Sequence, residues 1–169
     1  LSWNQFNEVP FDTFEWRGID GSEVLTHFIT TLSIGQNVQN FFTTYNGMLH
    51  PDAIMGGWER YQNKDINNDI LIAYGYGDGG GGPTRDMLET SKRMEKGVLG
   101  IPKVRQVFAR QYFDELNERV KDSNRLPTWE GELYLEYHRG TYTSMARNKR
   151  GNRKTELGLM DLELLSVLA

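Results

Sequence analysis

Residues 70–87 read ILIAYGYGDGGGGPTRDM, and no other stretch restricts the fold of this chain so tightly. A short apolar run breaks into six glycines within eight residues, with one carboxylate, Asp78, set among them. Regular structure then restarts at Pro83 and Thr84. The β-branched and aromatic run at 70–74 suits a short strand buried on both faces. Ordering so many glycines is entropically unfavourable, which argues that the bare backbone serves a purpose.

Three purposes compete. Gly75, Gly77 and Gly80 fit the G-x-G-x-x-G spacing of a dinucleotide loop. Against it, Gly81, Gly82 and Pro83 delay the helix whose N-terminus would meet the phosphates, and Asp78 puts negative charge where they would lie. A P-loop fails for want of a following Gly-Lys-Ser/Thr. The second reading is a flexible surface loop. The third is clearance for a bulky polar ligand, such as a sugar, to approach the Asp78 carboxylate; glycoside hydrolysis uses two carboxyl groups.

The flanking sequence alternates strand and helix. Thr84 is a suitable N-cap for a helix through Lys96, with Asp86 at its positive end and Lys92, Arg93 and Lys96 at its negative end. Gly97, Gly100 and Pro102 end it. A second short strand is predicted over 103–107. A helix reaching about Val120 follows, with Phe108, Tyr112, Phe113 and Leu116 as its apolar face, and then a strand ELYLEYH from Glu132. Earlier, strands are predicted over 13–16 and 24–28, a helix over 52–63, and a loop over 30–46. Such alternation implies parallel strands with right-handed crossovers, an α/β class whose ligands bind beyond the carboxyl ends of the strands. Both GYGDGGGG and HRGTYTS would lie there.

Composition narrows the partners. A chain of 169 residues, 38% hydrophobic, fills one core. A net charge of −4 gives no reason to expect nucleic acid. The basic stretch with Arg139, Arg147, Lys149, Arg150, Arg153 and Lys154 lacks interleaved aromatics and reads as a solvated helix start. No run approaches a membrane span, and no cysteine is present, which leans towards a reducing, cytoplasmic setting. The chain opens at Leu1 without methionine. It ends inside an amphipathic pattern, Leu157, Met160, Leu164, Leu165 and Leu168, that no cap closes. A piece of a longer protein is expected, with an exposed packing face through which it could self-associate.

GYGDGGGGPTRDMLE, ELYLEYHRGTYTSMARNKRGNRKTE and the opening LSWNQFNEVPFDTFEWRGIDGSEVLTHF resemble the α-mannosidases of glycoside hydrolase family 38, the bacterial and cytosolic branch in particular. The resemblance covers nearly the whole chain. It implies a retaining, zinc-dependent hydrolase of α-linked mannose in oligosaccharides, built as a parallel-strand α/β barrel-like catalytic domain followed by a helical bundle. Residues 1–143 would be the C-terminal portion of that catalytic domain and 144–169 the truncated first helix of the bundle. The family's zinc ligands, a His-x-Asp pair, the nucleophilic aspartate and a later histidine, have no counterpart here; they are expected outside residues 1–169.

The resemblance also implies roles for residues that are present. Asp78 matches the Gly-Asp that carries the family's acid/base carboxylate, although Gly79 stands where eukaryotic relatives have a second aspartate. Asp78 as a mere acceptor for sugar hydroxyls is the rival. Gly79 and Gly80 would flank the substrate. His138, Arg139 and Tyr142 match a segment that contacts the sugar, and His27, in LTHF, falls near another that lines the site. His50 reads as a surface residue before Pro51. Among the tryptophans, Trp129 is the one candidate for sugar stacking. A non-catalytic module that binds carbohydrate or a protein partner is the alternative from another class.

Overall fold

A computed structural model describes residues 6–30, 46–77, 79–133, 140 and 143–168. These fall into two compact units, Val9–Glu132 and Leu1–Glu8 with Leu133–Ala169.

The larger unit holds most of the regular structure. Strand β1, Thr13–Arg17, pairs antiparallel with β2, Glu23–His27, with Thr13 opposite His27. Strand β3 is Asn46–Gly47, and helix α1 spans Pro51–Arg60. Strand β4, Gly75–Tyr76, pairs antiparallel with β3. Helix α2, Arg85–Glu95, and helix α3, Ala109–Val120, follow. Strand β5, Thr128–Glu130, returns parallel to β1 and completes a three-stranded sheet of order β2-β1-β5. The class is mixed α/β, with one parallel pair among the described strands rather than a succession of them.

Local chemistry explains the helix boundaries. The Thr84 side chain accepts a hydrogen bond from the Met87 N–H at 3.3 Å and so caps α2. At the other end Gly97, with φ +91°, turns the chain out of the helix while its N–H still reaches the Met94 carbonyl at 3.0 Å. Helix α1 is shorter than the sequence implied, and His50 is more than a surface residue. It is the N-cap, its Nδ1 accepting from the Ala53 N–H at 3.4 Å, and Pro51 occupies the position where no N–H is needed.

Among the described residues this unit has two apolar clusters, beside the fully buried Phe14 and Tyr61. Leu49, Ile54 and Met94 pack with Ile72, Tyr74, Ile101 and Val104. Tyr112, Leu116 and Val120 pack with Leu25, Leu71, Val107, Phe113 and Leu126. Full burial of a side chain such as Leu116 contributes about 1.5–3 kcal/mol. Phe108, assigned to the buried face of α3 by its spacing, is instead the N-cap and 85% exposed. One residue short of the helix, it misses the inward stripe.

The strands expected over 70–74 and 103–107 do not form; neither segment joins a ladder among the described residues. Their side chains still behave as strand side chains should. Leu71 enters one cluster while Ile72 and Tyr74 enter the other, and Val104 and Val107 divide in the same way. Burial on both faces is encoded locally, whereas a ladder needs a neighbour. The glycine run therefore follows an antiparallel ribbon, not a parallel strand. The expected strand ELYLEYH lies almost wholly outside the described residues, as does nearly all of the 30–46 loop.

In the smaller unit, α4 runs over Ala146–Leu168 with no buried residue. Leu157, Met160, Leu164, Leu165 and Leu168, the expected apolar face, are all exposed.

Candidate functional site

The glycine run is a closed, braced loop. The Tyr76 N–H donates to the Gly82 carbonyl and the Gly82 N–H to the Tyr76 carbonyl, both at 2.8 Å, so residues 77–81 are pinched off as a ring. Asn46, 2% exposed, accepts the Gly77 N–H on its Oδ1 at 2.8 Å. The ring thereby hangs from β3, thirty-one residues earlier.

Close backbone approach explains two of the glycines. A Cβ on Gly47 would lie 2.0 Å from the Ala73 carbonyl oxygen. One on Gly75, whose φ is +116°, would lie 2.6 Å from the Pro83 nitrogen. Gly79 and Gly80 are different: both are exposed, with φ +83° and +73°, and nothing stands within 4 Å of where a side chain would begin. This is open clearance on the solvent side of the loop. A ribbon, a ring and a helix starting at Arg85 do not make the strand-to-helix turn that holds a pyrophosphate, so the dinucleotide reading loses its geometry.

Asp78, His138, Arg139 and Tyr142 lie outside the described residues. Trp129 is described and is used internally: its ring edge meets Phe11 at 6.0 Å, and its indole N–H donates to the Glu132 carbonyl at 3.1 Å.

His27 is buried, 8% exposed, and both ring nitrogens are engaged. Its Nε2 accepts the Leu71 N–H at 3.4 Å, so Nε2 is bare and Nδ1 carries the proton. Nδ1 then donates to the Thr13 hydroxyl at 2.8 Å. The Thr13 and Tyr61 hydroxyls meet at 2.7 Å, and Asn67 Nδ2 donates to the Tyr61 oxygen at 3.1 Å. Asn67 Oδ1 accepts from Arg119 Nε at 2.9 Å, and Arg119 pairs with Asp69 at 3.1 Å. Burial, with a smaller push from the Arg119 charge, lowers the pKa of His27 to about 4. No nitrogen of this ring is left over for a sugar hydroxyl.

A cavity of about 360 Å³ opens between 68–74, 102–107 and α1, lined among others by Trp58, Asp69, Tyr74, Arg105 and Tyr112. The Tyr74 hydroxyl is buried and meets no hydrogen-bond partner among the described residues. Among the described residues no three His, Cys, Asp or Glu side chains come together to hold a metal, so these residues do not fit the zinc site that the resemblance implies. Nor is any helix among them long and apolar enough to cross a membrane.

Sequence reasoning found the loop but not its brace. Asn46 sits in a stretch without period, and nothing local marks it as the support of Gly77. The links from His27 to Thr13 and Leu71 span fourteen and forty-four residues and leave no local signature either.

Comparison with known proteins gives the family. Residues 1–132 match the family described as glycosyl hydrolases family 38 N-terminal domain. Alpha-mannosidase G of Dictyostelium discoideum is 43% identical over 98% of this chain, and human alpha-mannosidase 2C1 is 42% identical over all of it. The alpha-mannosidase of Saccharomyces cerevisiae is 37% identical over 98%. The chain spans only 14–15% of the length of these relatives. Likeness of this extent places the chain in glycosyl hydrolase family 38.

Proposed function

We propose that this chain forms one wall of the active site of an α-mannosidase that hydrolyses α-mannosidic bonds in mannose-containing oligosaccharides with retention of configuration. The observation that carries the reading is identity of 37–43% across the chain to proteins named alpha-mannosidase. The braced loop supports it. A ring held by backbone bonds and Asn46, with open space at Gly79 and Gly80, suits a carboxylate that a bulky sugar must approach.

Asp78 is the acid/base. As acid it must hold a proton when the leaving oxygen arrives, which calls for a pKa raised by desolvation or by the charge of the nucleophile. His138, Arg139 and Tyr142 contact the sugar. Gly79 and Gly80 leave room for it. Zinc, the cofactor that the family resemblance implies, would be held by ligands outside residues 1–169.

Residues 1–143 belong to a barrel-like α/β catalytic domain and 144–169 open a helical bundle. The two segments 70–74 and 103–107 support the barrel: each partly buries side chains on both faces and has no neighbouring strand among the described residues, as it would with the rest of the sheet elsewhere in the sequence. The protein acts in the cytoplasm, a setting consistent with a chain free of cysteine. It takes neither nucleic acid nor membrane as partner.

The test is Asp78→Asn in the full-length protein. Hydrolysis of a chromogenic α-mannoside should fall by about a hundredfold to ten-thousandfold with zinc content unchanged, the usual contribution of a general acid. Unaltered hydrolysis would remove Asp78 from the chemistry and favour a non-catalytic, carbohydrate-binding role for the loop.

A further inference from the structure

The segment that delivers the chain to the glycine loop is held in an unusual way. Residues 70–73 lie in no ladder, and among the described residues their backbone makes one hydrogen bond, from the Leu71 N–H to His27 Nε2. Two residues earlier, Asp69 is fastened by Arg119 of α3. Two residues later, the Ala73 carbonyl lies hard against Gly47 of β3, and β4 and the ring follow at once. Among the described residues side chains stand in for a ladder here: Asn67 holds the Asp69 main chain, and His27 holds the Leu71 N–H.

Its ring is well placed for the task. Thr13 fixes Nδ1, and Tyr61 and Tyr112 flank the ring with centroids at 5.5 and 5.2 Å. We propose that His27 is a positioning residue for the glycine loop: the neutral, Nδ1-protonated ring anchors, through Leu71, the backbone that carries Asp78. This rests on the reading of Asp78 as the acid of an α-mannosidase.

The chemistry makes the anchor conditional. A protonated ring presents Nε2–H to the Leu71 N–H, donor against donor, and the tie is lost. The groups that face the ring all favour the neutral form or leave it undisturbed. Tyr61 and Tyr112 are uncharged at neutral pH, and the Arg119 guanidinium, with Asp69 paired to it, disfavours a second cation nearby. Thr13 serves either protonation state. The anchor therefore holds at neutral pH and fails in acid.

The experiment uses the full-length protein and two variants. His27→Gln places an amide oxygen near the Nε2 position and can still accept the Leu71 N–H; His27→Phe fills the space and accepts nothing. Two readouts are taken, kcat and KM on a chromogenic α-mannoside, and backbone hydrogen exchange over residues 68–77. His27→Phe should lower kcat by about tenfold to a hundredfold with KM within about twofold, as for a displaced catalytic group. It should also speed exchange over 68–77, and His27→Gln should restore most of both. Unchanged kcat in His27→Phe overturns the proposal, whether or not exchange rises, and so does a His27→Gln variant as impaired as His27→Phe. If His27→Phe does not fold, His27→Asn, too short to reach Leu71, takes its place with the same outcomes. Wild-type protein inert towards α-mannosides would sink the functional reading alone; the exchange measurement would still decide whether His27 anchors Leu71.

Discussion

At the scale of single residues, the most informative group is one that carries no charge. His27 titrates near 6.5 in an unfolded chain and near 4 in the fold. Below 6.5 the unfolded chain takes up a proton that the folded chain refuses. The stabilisation is thus complete above 6.5, shrinks as the pH falls, and is gone below about 4. A shift of that size corresponds to about 3 kcal/mol. Chemical unfolding of the full-length protein, followed at neutral pH and at a pH between those two values, should show this loss in wild type and not in His27→Gln; equal losses in both would refute the assignment. The sequence marked His27 as a residue near the sugar, because the neighbouring motif pointed that way. The structure gives both its nitrogens to the core. Proximity in sequence to a lining segment says little about which way a ring faces, and the partners that decide it are fourteen and forty-four residues distant.

Elements were legible where their signals are local. Helix α2 was readable to within a residue because a threonine cap, a first-turn aspartate and a closing glycine all lie within its own length. Thr84→Ala should therefore destabilise α2 by about 1 kcal/mol and loosen the amide of Met87 in hydrogen exchange, while Thr84→Ser leaves both near wild type. Strands β1 and β2 were legible from their composition, and they have each other as partners. The runs at 70–74 and 103–107 carry the same composition and form no ladder, since pairing depends on what lies alongside. Apolar alternation reports which side chains turn inward, and the structure partly buries Leu71, Ile72, Tyr74, Val104 and Val107 against the two clusters.

At the scale of the molecule, the match to the N-terminal domain takes in all of the larger unit and ends with it at residue 132, while the likeness to the alpha-mannosidases continues through the rest of the chain. Helix α4 belongs to the other unit and buries none of its described residues. Leu159, Leu162 and Val167 are as exposed as Leu157 and Leu164, so apolar side chains emerge on more than one side over its second half. A helix apolar all round is normally an interior helix. Residues 1–169 produced alone should accordingly self-associate, with a mass above the monomer in light scattering. Replacing Leu157, Leu164 and Leu168 by glutamine should shift the population back towards monomer. A wild-type chain that is monomeric throughout would show that α4 tolerates water without a partner.

The ring at 77–81 gives its glycines a meaning opposite to the usual one. Glycine-rich loops are commonly taken as compliant, yet this one is closed by its own main chain and bolted to Asn46. Such a part acts as a gauge. At Gly79 and Gly80 its rim is bare backbone, and under the function proposed above a sugar meeting it there would be sorted by its own width. Narrowing the gauge requires a side chain at Gly79 or Gly80, where asparagine best tolerates the left-handed backbone, and would leave the bolts untouched. Selectivity at this loop and stability of the fold are, in that sense, separate dials.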